Sequence, residues 1–163
     1  MSFEQYAIGV DLGGTNVKAV RISRNGEVLS RDKFDTQDVT NGWAISVADY
    51  VAHTEREHGP AVAMGVSSPG LAQRDERAIA WMMGRMAGVM GFDWTKHLKR
   101  SELVPVMNDA HAALLGEAWI GAAAGARNVV MLTLGTGVGG AIMCDGRLLR
   151  GHLGLSLIHI SEP

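Results

Sequence analysis

The sequence predicts an α/β fold in which one strand–loop–strand–turn–strand unit occurs twice. Glycine-rich loops stand at residues 11–16 and 134–140, and each lies between two apolar, strand-like runs. Each second run leads to a turn dipeptide typical of a β-hairpin, Asn-Gly at 25–26 and Asp-Gly at 145–146. When the two loops are aligned, their flanks and turns also agree. We therefore predict a duplicated architecture rather than two unrelated hairpins.

Between the two units, helix-like and strand-like segments alternate. Apolar residues recur at helical spacing over 42–58, which ends before a Gly-Pro stop signal, and a short amphipathic helix is predicted over 92–100. Apolar runs at 61–66 and 103–107 are typical of buried strands. Residues 110–124 are rich in alanine and other strong helix formers. This alternation predicts a sheet with helices packed on it.

The first glycine loop has the composition of a phosphate-binding site for a metal–nucleotide complex. Gly13 and Gly14 allow backbone N–H groups to approach an anion closely, and Thr15 and Asn16 add side-chain donors. The Asp11 carboxylate would repel a phosphate unless a cation such as Mg²⁺ lay between them. Asp11 therefore indicates a magnesium–nucleotide complex, with an Asx-type turn cap as the alternative.

The second glycine loop repeats this chemistry and differs from two other nucleotide motifs. Thr136 supplies a side-chain donor between Gly135 and Gly137. Together with Gly140, these glycines satisfy G-x-G-x-x-G, but the dinucleotide motif must open a helix, whereas residues 141–146 form a short apolar run and a turn. The sequence contains no G-x-x-x-x-G-K-[ST]. Both the Rossmann and the P-loop interpretations are excluded.

Four motifs in a fixed order carry a resemblance to a known family. They are residues 9–16, residues 68–70, residues 108–110 with 116–117, and residues 134–140. Over about residues 6–154, the chain resembles the ROK family of sugar kinases within the actin-like ATPase superfamily. The resemblance implies an actin-like (ribonuclease H-like) fold, with a first domain at 1–125 and the start of a second ATPase domain at 126–154.

In that family the two glycine loops hold the phosphates of ATP, and the sugar lies in the cleft between them. The resemblance assigns ATP binding to both loops and to a lysine after the first: Asp11, Gly13, Gly14, Thr15, Asn16, Lys18, Gly135, Thr136 and Gly137. It implies that Asp11 contacts Mg²⁺ through water, while Lys18 is equally compatible with a solvated strand residue. It assigns sugar binding to one turn and one helix start: Ser68, Pro69, Gly70, Asn108 and Asp109.

Asp109 is the candidate catalytic residue. It follows an apolar strand and precedes a helix, and the N-terminus of a helix stabilises an ionised carboxylate. Such a carboxylate can accept the proton of a hydroxyl that attacks a phosphate. The resemblance makes Asp109 the general base and Asn108 a sugar ligand. The alternative is that these two residues only cap the helix, and that residues 68–70 form an ordinary turn.

The resemblance implies ATP-dependent phosphorylation of the 6-hydroxyl of a hexose such as glucose. A sugar-sensing transcriptional regulator of the same family and a non-catalytic nucleotide-binding relative are the alternatives. We expect the kinase, because the first strand begins near Tyr6 and leaves no room for an N-terminal helix-turn-helix. Many relatives offer an asparagine to the sugar where this chain has residues 81–86, which contain none, so the identity of the sugar stays open.

Composition restricts the classes of ligand and the cellular compartment that we expect for this protein. The net charge is −2 without a basic cluster, so we expect sugar and ATP as ligands and no nucleic acid. Cys144 is the one cysteine, which excludes an internal disulfide and fits a cytoplasmic protein. We expect neither an export signal nor a membrane segment, and the structural zinc of many relatives is not expected in this chain. The resemblance implies a homodimer for the complete protein.

The last nine residues depart from the family pattern. Residues 155–163 match an in-frame translation of a common transposon sequencing adapter, so we expect this tail to be non-native. A two-domain kinase needs about 300 residues, at roughly 150 per domain. We therefore expect a truncated N-terminal half that has no kinase activity on its own.

Overall fold

The computed structural model describes residues 4–37, 41–83, 86–134, 138–151 and 154. Its strands and helices, in chain order, are β1 (Tyr6–Leu12), β2 (Asn16–Ser23), β3 (Val28–Asp35), α1 (Gly42–His58), β4 (Ala63–Ser68), β5 (Leu71–Ala72), β6 (Ile79–Trp81), α2 (Trp94–His97), β7 (Val106–Asn108), α3 (Asp109–Ile120), β8 (Val129–Leu134), β9 (Val138–Cys144) and β10 (Arg147–Leu148). The chain forms two compact units, Met1–Met107 and Asn108–Pro163.

The first unit is built on a five-stranded sheet with the order β3-β2-β1-β4-β7. Its central strand β1 pairs antiparallel with β2 and parallel with β4. Ile8, Val10 and Leu12 of β1 are only 1%, 3% and 0% exposed, and they belong to the same buried cluster as Trp43 and Val47 of α1. The sheet with a covering helix is therefore the core of this unit, as the alternating sequence pattern predicted.

Local sequence signals define several element ends correctly. The predicted helix over 42–58 is confirmed as α1, and the Asn-Gly turn at 25–26 is confirmed by the positive φ of 86° at Gly26. In the second predicted turn, Asp145 and Gly146 both have positive φ, 50° and 75°, as a type I′ hairpin turn requires. These features depend on neighbouring residues alone, which is why the sequence predicts them.

Two predicted helices are longer than the helices in the structure. The helix predicted over 92–100 is the single turn α2, whose first N–H groups are capped when Asp93 accepts a hydrogen bond from the Lys96 N–H at 3.1 Å. The helix predicted over 110–124 ends at Ile120. Gly121 donates its N–H to the Glu117 carbonyl, and the Glu117 carboxylate accepts the Ala122 N–H at 2.7 Å. A side chain thus satisfies the backbone beyond the helix end and favours a turn.

The second unit contains α3 and a three-stranded antiparallel sheet with the order β10-β9-β8. Leu114 of α3 and Ala141 and Met143 of β9 form a small buried cluster. The alternate face of β8 carries Val130, Leu132 and Leu134, which are 67%, 55% and 82% exposed. In the alignment of the two loops these residues correspond to Ile8, Val10 and Leu12 of β1, which are buried. The two units therefore share a strand pattern but differ in what covers it.

The two compact units divide between Met107 and Asn108, whereas the family domains were predicted to divide between residues 125 and 126. The physical reason is that α3 packs against β8 and β9. The domain boundary itself stays a prediction, since packing of one helix does not define a family domain. Within the described ranges, no helix combines the length and the apolar character that crossing a membrane would need.

We expect the second unit to open more readily than the first, because it has a small buried cluster and an exposed apolar strand face. Backbone amides of β8 and β9 should exchange with solvent at least about tenfold faster than those of β1 and β4. Hydrogen-exchange mass spectrometry at neutral pH measures this difference. Equal protection of the two sheets would contradict the prediction.

Candidate functional site

A row of three polar side chains crosses the sheet of the first unit at the end of β1. Asp11 is paired with Lys18 of β2 on one side and with Ser67 of β4 on the other. The Ser67 hydroxyl donates a hydrogen bond to Asp11 Oδ1 at 2.8 Å, and Lys18 Nζ lies 3.6 Å from Asp11 Oδ2. Asp11 and Lys18 are thus brought together as the sequence analysis grouped them. The contact with Ser67 was missed.

The first glycine loop is held in a defined conformation beside this row. The Gly13 N–H donates to the Asn16 carbonyl at 3.1 Å, and a Cβ at Gly13 would lie 2.8 Å from that oxygen. The buried Thr36, which directly follows β3, stabilises the loop, since its hydroxyl donates to the Gly13 carbonyl at 2.6 Å and its N–H donates to the Thr15 carbonyl. Close packing therefore requires glycine at 13. Nothing in the sequence pattern singles out Thr36.

The predicted sugar-binding turn follows β4. Ser68 is buried, and its hydroxyl donates to the Pro69 carbonyl at 3.2 Å. Gly70 has a φ of +103°, and a Cβ there would lie 2.6 Å from the Met82 Cβ and 2.7 Å from the Trp81 carbonyl oxygen. Both the backbone angle and the contact with this neighbouring segment demand glycine. The fold therefore fixes the conformation of this turn, whereas sugar binding by the turn stays a prediction.

Asn108 and Asp109 lie at the N-terminus of α3, as predicted. Asn108 Oδ1 accepts hydrogen bonds from the N–H groups of Ala110 at 3.0 Å and His111 at 3.3 Å, so Asn108 is the N-cap. Asp109 is exposed, and its Oδ1 accepts the Ala110 N–H at 2.8 Å. The capping interpretation is thus confirmed for Asn108. The cap is made by the amide oxygen Oδ1 of Asn108. It does not test the predicted contact of Asn108 with a sugar.

His111 is a buried titratable group in the first turn of α3. Burial lowers its pKa below the ordinary value, the positive charge of Arg150 lowers it further, and the Asp109 carboxylate acts in the opposite direction. The imidazole is therefore neutral at physiological pH. The histidines have no metal-ligand spacing in the sequence, which predicts a surface or cap position for His111. A surface position is wrong, because the side chain is only 2% exposed.

The candidate site residues of the second loop, Gly135, Thr136 and Gly137, lie outside the described residues, and so do residues 155–163. Asp11, Ser67 and residues 68–70 belong to the first compact unit, whereas Asn108 and Asp109 belong to the second.

The donor set around Asp11 fits a magnesium ion that arrives with a nucleotide. Among the residues that the structure describes, no group of three or more acidic, histidine or cysteine side chains could hold a metal. Mg²⁺ in phosphate-transfer sites keeps several waters and needs one or two carboxylates in addition to the phosphates. The Asp11 carboxylate beside a tightly turned glycine loop meets this requirement.

The central strand that ends in a glycine loop, and the repetition of strand, loop and strand in the second unit, place the chain in the actin-like ATPase fold class. The chain belongs to the ROK family, whose family model matches residues 7–157. Glucokinase from Halalkalibacterium halodurans is 32% identical over 161 residues, which cover 94% of this chain and 48% of that protein. The chain spans about half the length of the curated relatives it matches.

Related proteins carry more than one function. Beta-glucoside kinase from Klebsiella pneumoniae is 32% identical over 145 residues, covering 86% of this chain and 47% of that kinase. The crystal structure of a ROK family glucokinase from Streptomyces griseus with glucose and AMPPNP is 29% identical, with a TM-score of 0.79 over 93% of this chain and 48% of the other. A ROK family transcriptional regulator, a homologue of the E. coli MLC protein, shares the fold at 22% identity, with a TM-score of 0.76 over 93% of this chain and 40% of the regulator.

The turn at Gly70 gives a prediction about stability. We expect Gly70→Ala to lower the free energy of unfolding by about 2 to 4 kcal/mol, since it combines a positive φ with overpacking. Gly91→Ala is the matched control, because Gly91 has a φ of +74° but a Cβ there would meet no atom within 4 Å. It should cost only about 1 to 2 kcal/mol. Urea unfolding measures both, and equal losses would show that the contact with Met82 is unimportant.

His111 gives a prediction about pH. The folded chain binds the His111 proton more weakly than the unfolded chain, whose pKa is near the ordinary 6.5. The stability of the second unit should therefore be constant above pH 6.5 and fall as the pH drops from 6.5 towards the folded-state pKa. His111→Gln should weaken this dependence, whereas His53→Gln on the exposed face of α1 should preserve it. Hydrogen exchange of α3 at pH 7.5, 6.5 and 5.5 provides the measurement, and an unchanged dependence in His111→Gln would refute the prediction.

Proposed function

We propose that the whole protein is an ATP-dependent sugar kinase that transfers the γ-phosphoryl group of MgATP to the 6-hydroxyl of a hexose such as glucose. The main support is that Asp109, in a chain of the ROK family, is exposed as the first residue of α3. Because the chain spans about half the length of its relatives, the activity is proposed for the whole protein. We propose that the 163-residue chain by itself is inactive.

Asp109 is proposed as the general base. The Asp109 carboxylate lies at the positive end of the α3 dipole, and its Oδ1 accepts the Ala110 N–H. Its exposed position allows a hydroxyl to approach within hydrogen-bond distance. As the sugar oxygen attacks phosphorus, its proton passes to a carboxylate oxygen of Asp109, and the leaving group is ADP.

Sugar positioning is proposed for Asn108 and for the turn formed by Ser68, Pro69 and Gly70. Asn108 holds the start of α3 through Oδ1, and its Nδ2 group is the atom of suitable type to donate to a sugar hydroxyl. The Gly70 conformation fixes the turn and therefore its backbone polar groups. A rigid turn can orient a sugar without losing much conformational entropy on binding.

Nucleotide binding is proposed for the two glycine loops. The set comprises Asp11, Gly13, Gly14, Thr15, Asn16, Lys18, Gly135, Thr136 and Gly137. Gly13 shapes its loop, since its own N–H is used within the turn, while the Lys18 ammonium can pair with a phosphate. Mg²⁺, when bound, neutralises phosphate charge, and Asp11 would hold it through water.

The remaining parts of the proposal concern organisation and compartment. We assign residues 1–125 to the first domain and 126–154 to the start of the second, and we propose a cytoplasmic homodimer for the whole protein. A single cysteine is in keeping with a reducing compartment. A sugar-sensing regulator is the second candidate, supported by the shared fold of the ROK regulator. It would bind sugar without transferring phosphate.

Replacement of the proposed base tests the kinase function. In the full-length protein, Asp109→Asn should lower kcat/KM for glucose by about 10²- to 10⁴-fold, because the amide cannot accept the proton. The affinity for ATP, measured by calorimetry, should be unchanged. A coupled assay of ADP release with a panel of hexoses measures activity and identifies the preferred sugar.

Asp145→Asn is the matched control, since Asp145 is an exposed aspartate of the β9–β10 turn whose positive φ also suits asparagine. This control should retain full activity. If Asp109→Asn does so as well, Asp109 is not the general base. If the unsubstituted protein binds a hexose but phosphorylates none of the panel, the regulator becomes the better assignment.

A further inference from the structure

Ser67 makes the closest side-chain contact with the proposed metal ligand among the contacts described for Asp11. It stands in β4 directly opposite Asp11 of β1, and its hydroxyl donates to Asp11 Oδ1 at 2.8 Å. The motif that implied a sugar-binding turn begins one residue later, at Ser68. Because successive strand residues point to opposite faces of a sheet, the side chains of Ser67 and Ser68 lie in different surroundings. Ser67 faces the carboxylate of Asp11, whereas Ser68 contacts the Pro69 carbonyl.

The two oxygens of Asp11 are held by partners of unequal strength. Oδ1 accepts the short hydrogen bond from Ser67, a small side chain with one rotatable bond to its hydroxyl group. Oδ2 lies 3.6 Å from the ammonium of Lys18, whose side chain is 66% exposed. An exposed ion pair at that distance contributes little and involves a long, flexible side chain. Ser67 is therefore the contact that defines the orientation of the carboxylate.

We propose that Ser67 is a positioning residue for Asp11, holding Oδ1 so that Oδ2 is the oxygen that receives the hydrated Mg²⁺ of the nucleotide complex. This inference rests on the proposed function of Asp11. In the same step the Lys18 ammonium leaves Oδ2 and pairs with a phosphate oxygen. One strand register thus places a cation and a hydroxyl on opposite sides of the carboxylate before the ligand arrives.

Removal of the hydroxyl has a defined consequence. In Ser67→Ala, Oδ1 loses its donor and the Asp11 side chain gains rotational freedom, which it must give up again when it binds a metal. A net hydrogen bond of ordinary strength corresponds to a decrease in metal affinity of about three- to tenfold. Ser67→Thr keeps the hydroxyl in a residue type favoured in strands, so it should restore the affinity.

Mn²⁺ is the probe for the test, since it prefers oxygen ligands as Mg²⁺ does and its unpaired electrons broaden nearby NMR signals. The full-length protein and its variants are titrated with Mn²⁺ and AMPPNP, and broadening of the amide signals of residues 10–14 gives the affinity. The ¹³C signal of the Asp11 carboxyl group reports its orientation without any metal. Ser23→Ala is the control, because Ser23 is a strand serine of the same sheet whose Oγ accepts a hydrogen bond from the Glu27 N–H, and it pairs with Tyr6 at the other end of β1.

The expected result is a three- to tenfold weaker Mn²⁺ affinity and a shifted Asp11 carboxyl signal in Ser67→Ala, with both restored in Ser67→Thr and both unchanged in Ser23→Ala. Unchanged β1 and β4 amide signals in each variant verify that the sheet is intact. If Ser67→Ala binds Mn²⁺ like the unsubstituted chain, the positioning role is wrong and the proposed metal role of Asp11 stands. If Mn²⁺ broadens no signal near Asp11 in the unsubstituted full-length protein, the metal role fails and the inference fails with it.

Discussion

Burial of β1 is the constraint on which the first unit depends. Its alternate residues Tyr6, Ile8, Val10 and Leu12 are almost fully buried, and the strand is paired on both edges. A shift of register by one residue would turn these side chains out of the core and Asp11 into it. The hydrophobic effect therefore fixes the position of the β1 end, and with it the place where the glycine loop begins. The polar row at Asp11 follows from this register.

The second unit repeats the strand pattern of the first with less apolar burial. In α3 and β9, Leu114, Ala141 and Met143 form a small cluster, while the other face of β8 keeps large apolar side chains in contact with water. Exposed apolar area of this kind is typical of a surface that another element covers. Such a sheet is less protected against opening than one whose central strand is paired on both edges and buries alternate side chains. Sheets with the same local strand pattern thus differ in stability when different amounts of their apolar surface are buried.

The start of α3 joins a structural and a proposed chemical role in adjacent residues. Asn108 satisfies two backbone N–H groups of the helix, which orients the first turn and the Asp109 carboxylate with it. A capping residue is therefore compatible with a site of phosphate transfer, because the cap holds the proposed base in place. The buried, neutral His111 behind it adds no positive charge that would compete for the carboxylate. Rigidity and chemistry at this helix start depend on the same hydrogen bonds.

The amino-acid sequence alone predicts the features that depend on neighbouring residues. These include the two hairpin turns, the extent of α1, the helix start at Asn108 and the order of motifs that indicates the ROK family. It did not predict that α2 begins only at Trp94, after the N-cap Asp93, and ends at His97. Nor did it give the end of α3, where Glu117 holds the following turn.

Which distant residues meet depends on the packing of the whole sheet. The contact of Asp11 with Ser67 joins two strands, and the contact of Gly13 with Thr36 joins the glycine loop to the residue after β3. No periodicity in either strand specifies such a pair, because it depends on strand order and register, which the packing of the whole sheet selects. The requirement for glycine at 70 has the same origin, since the neighbouring segment that excludes a Cβ comes from Trp81 and Met82. Sequence motifs thus identify the candidate residues, and the strand order and register of the sheet determine the contacts that orient them.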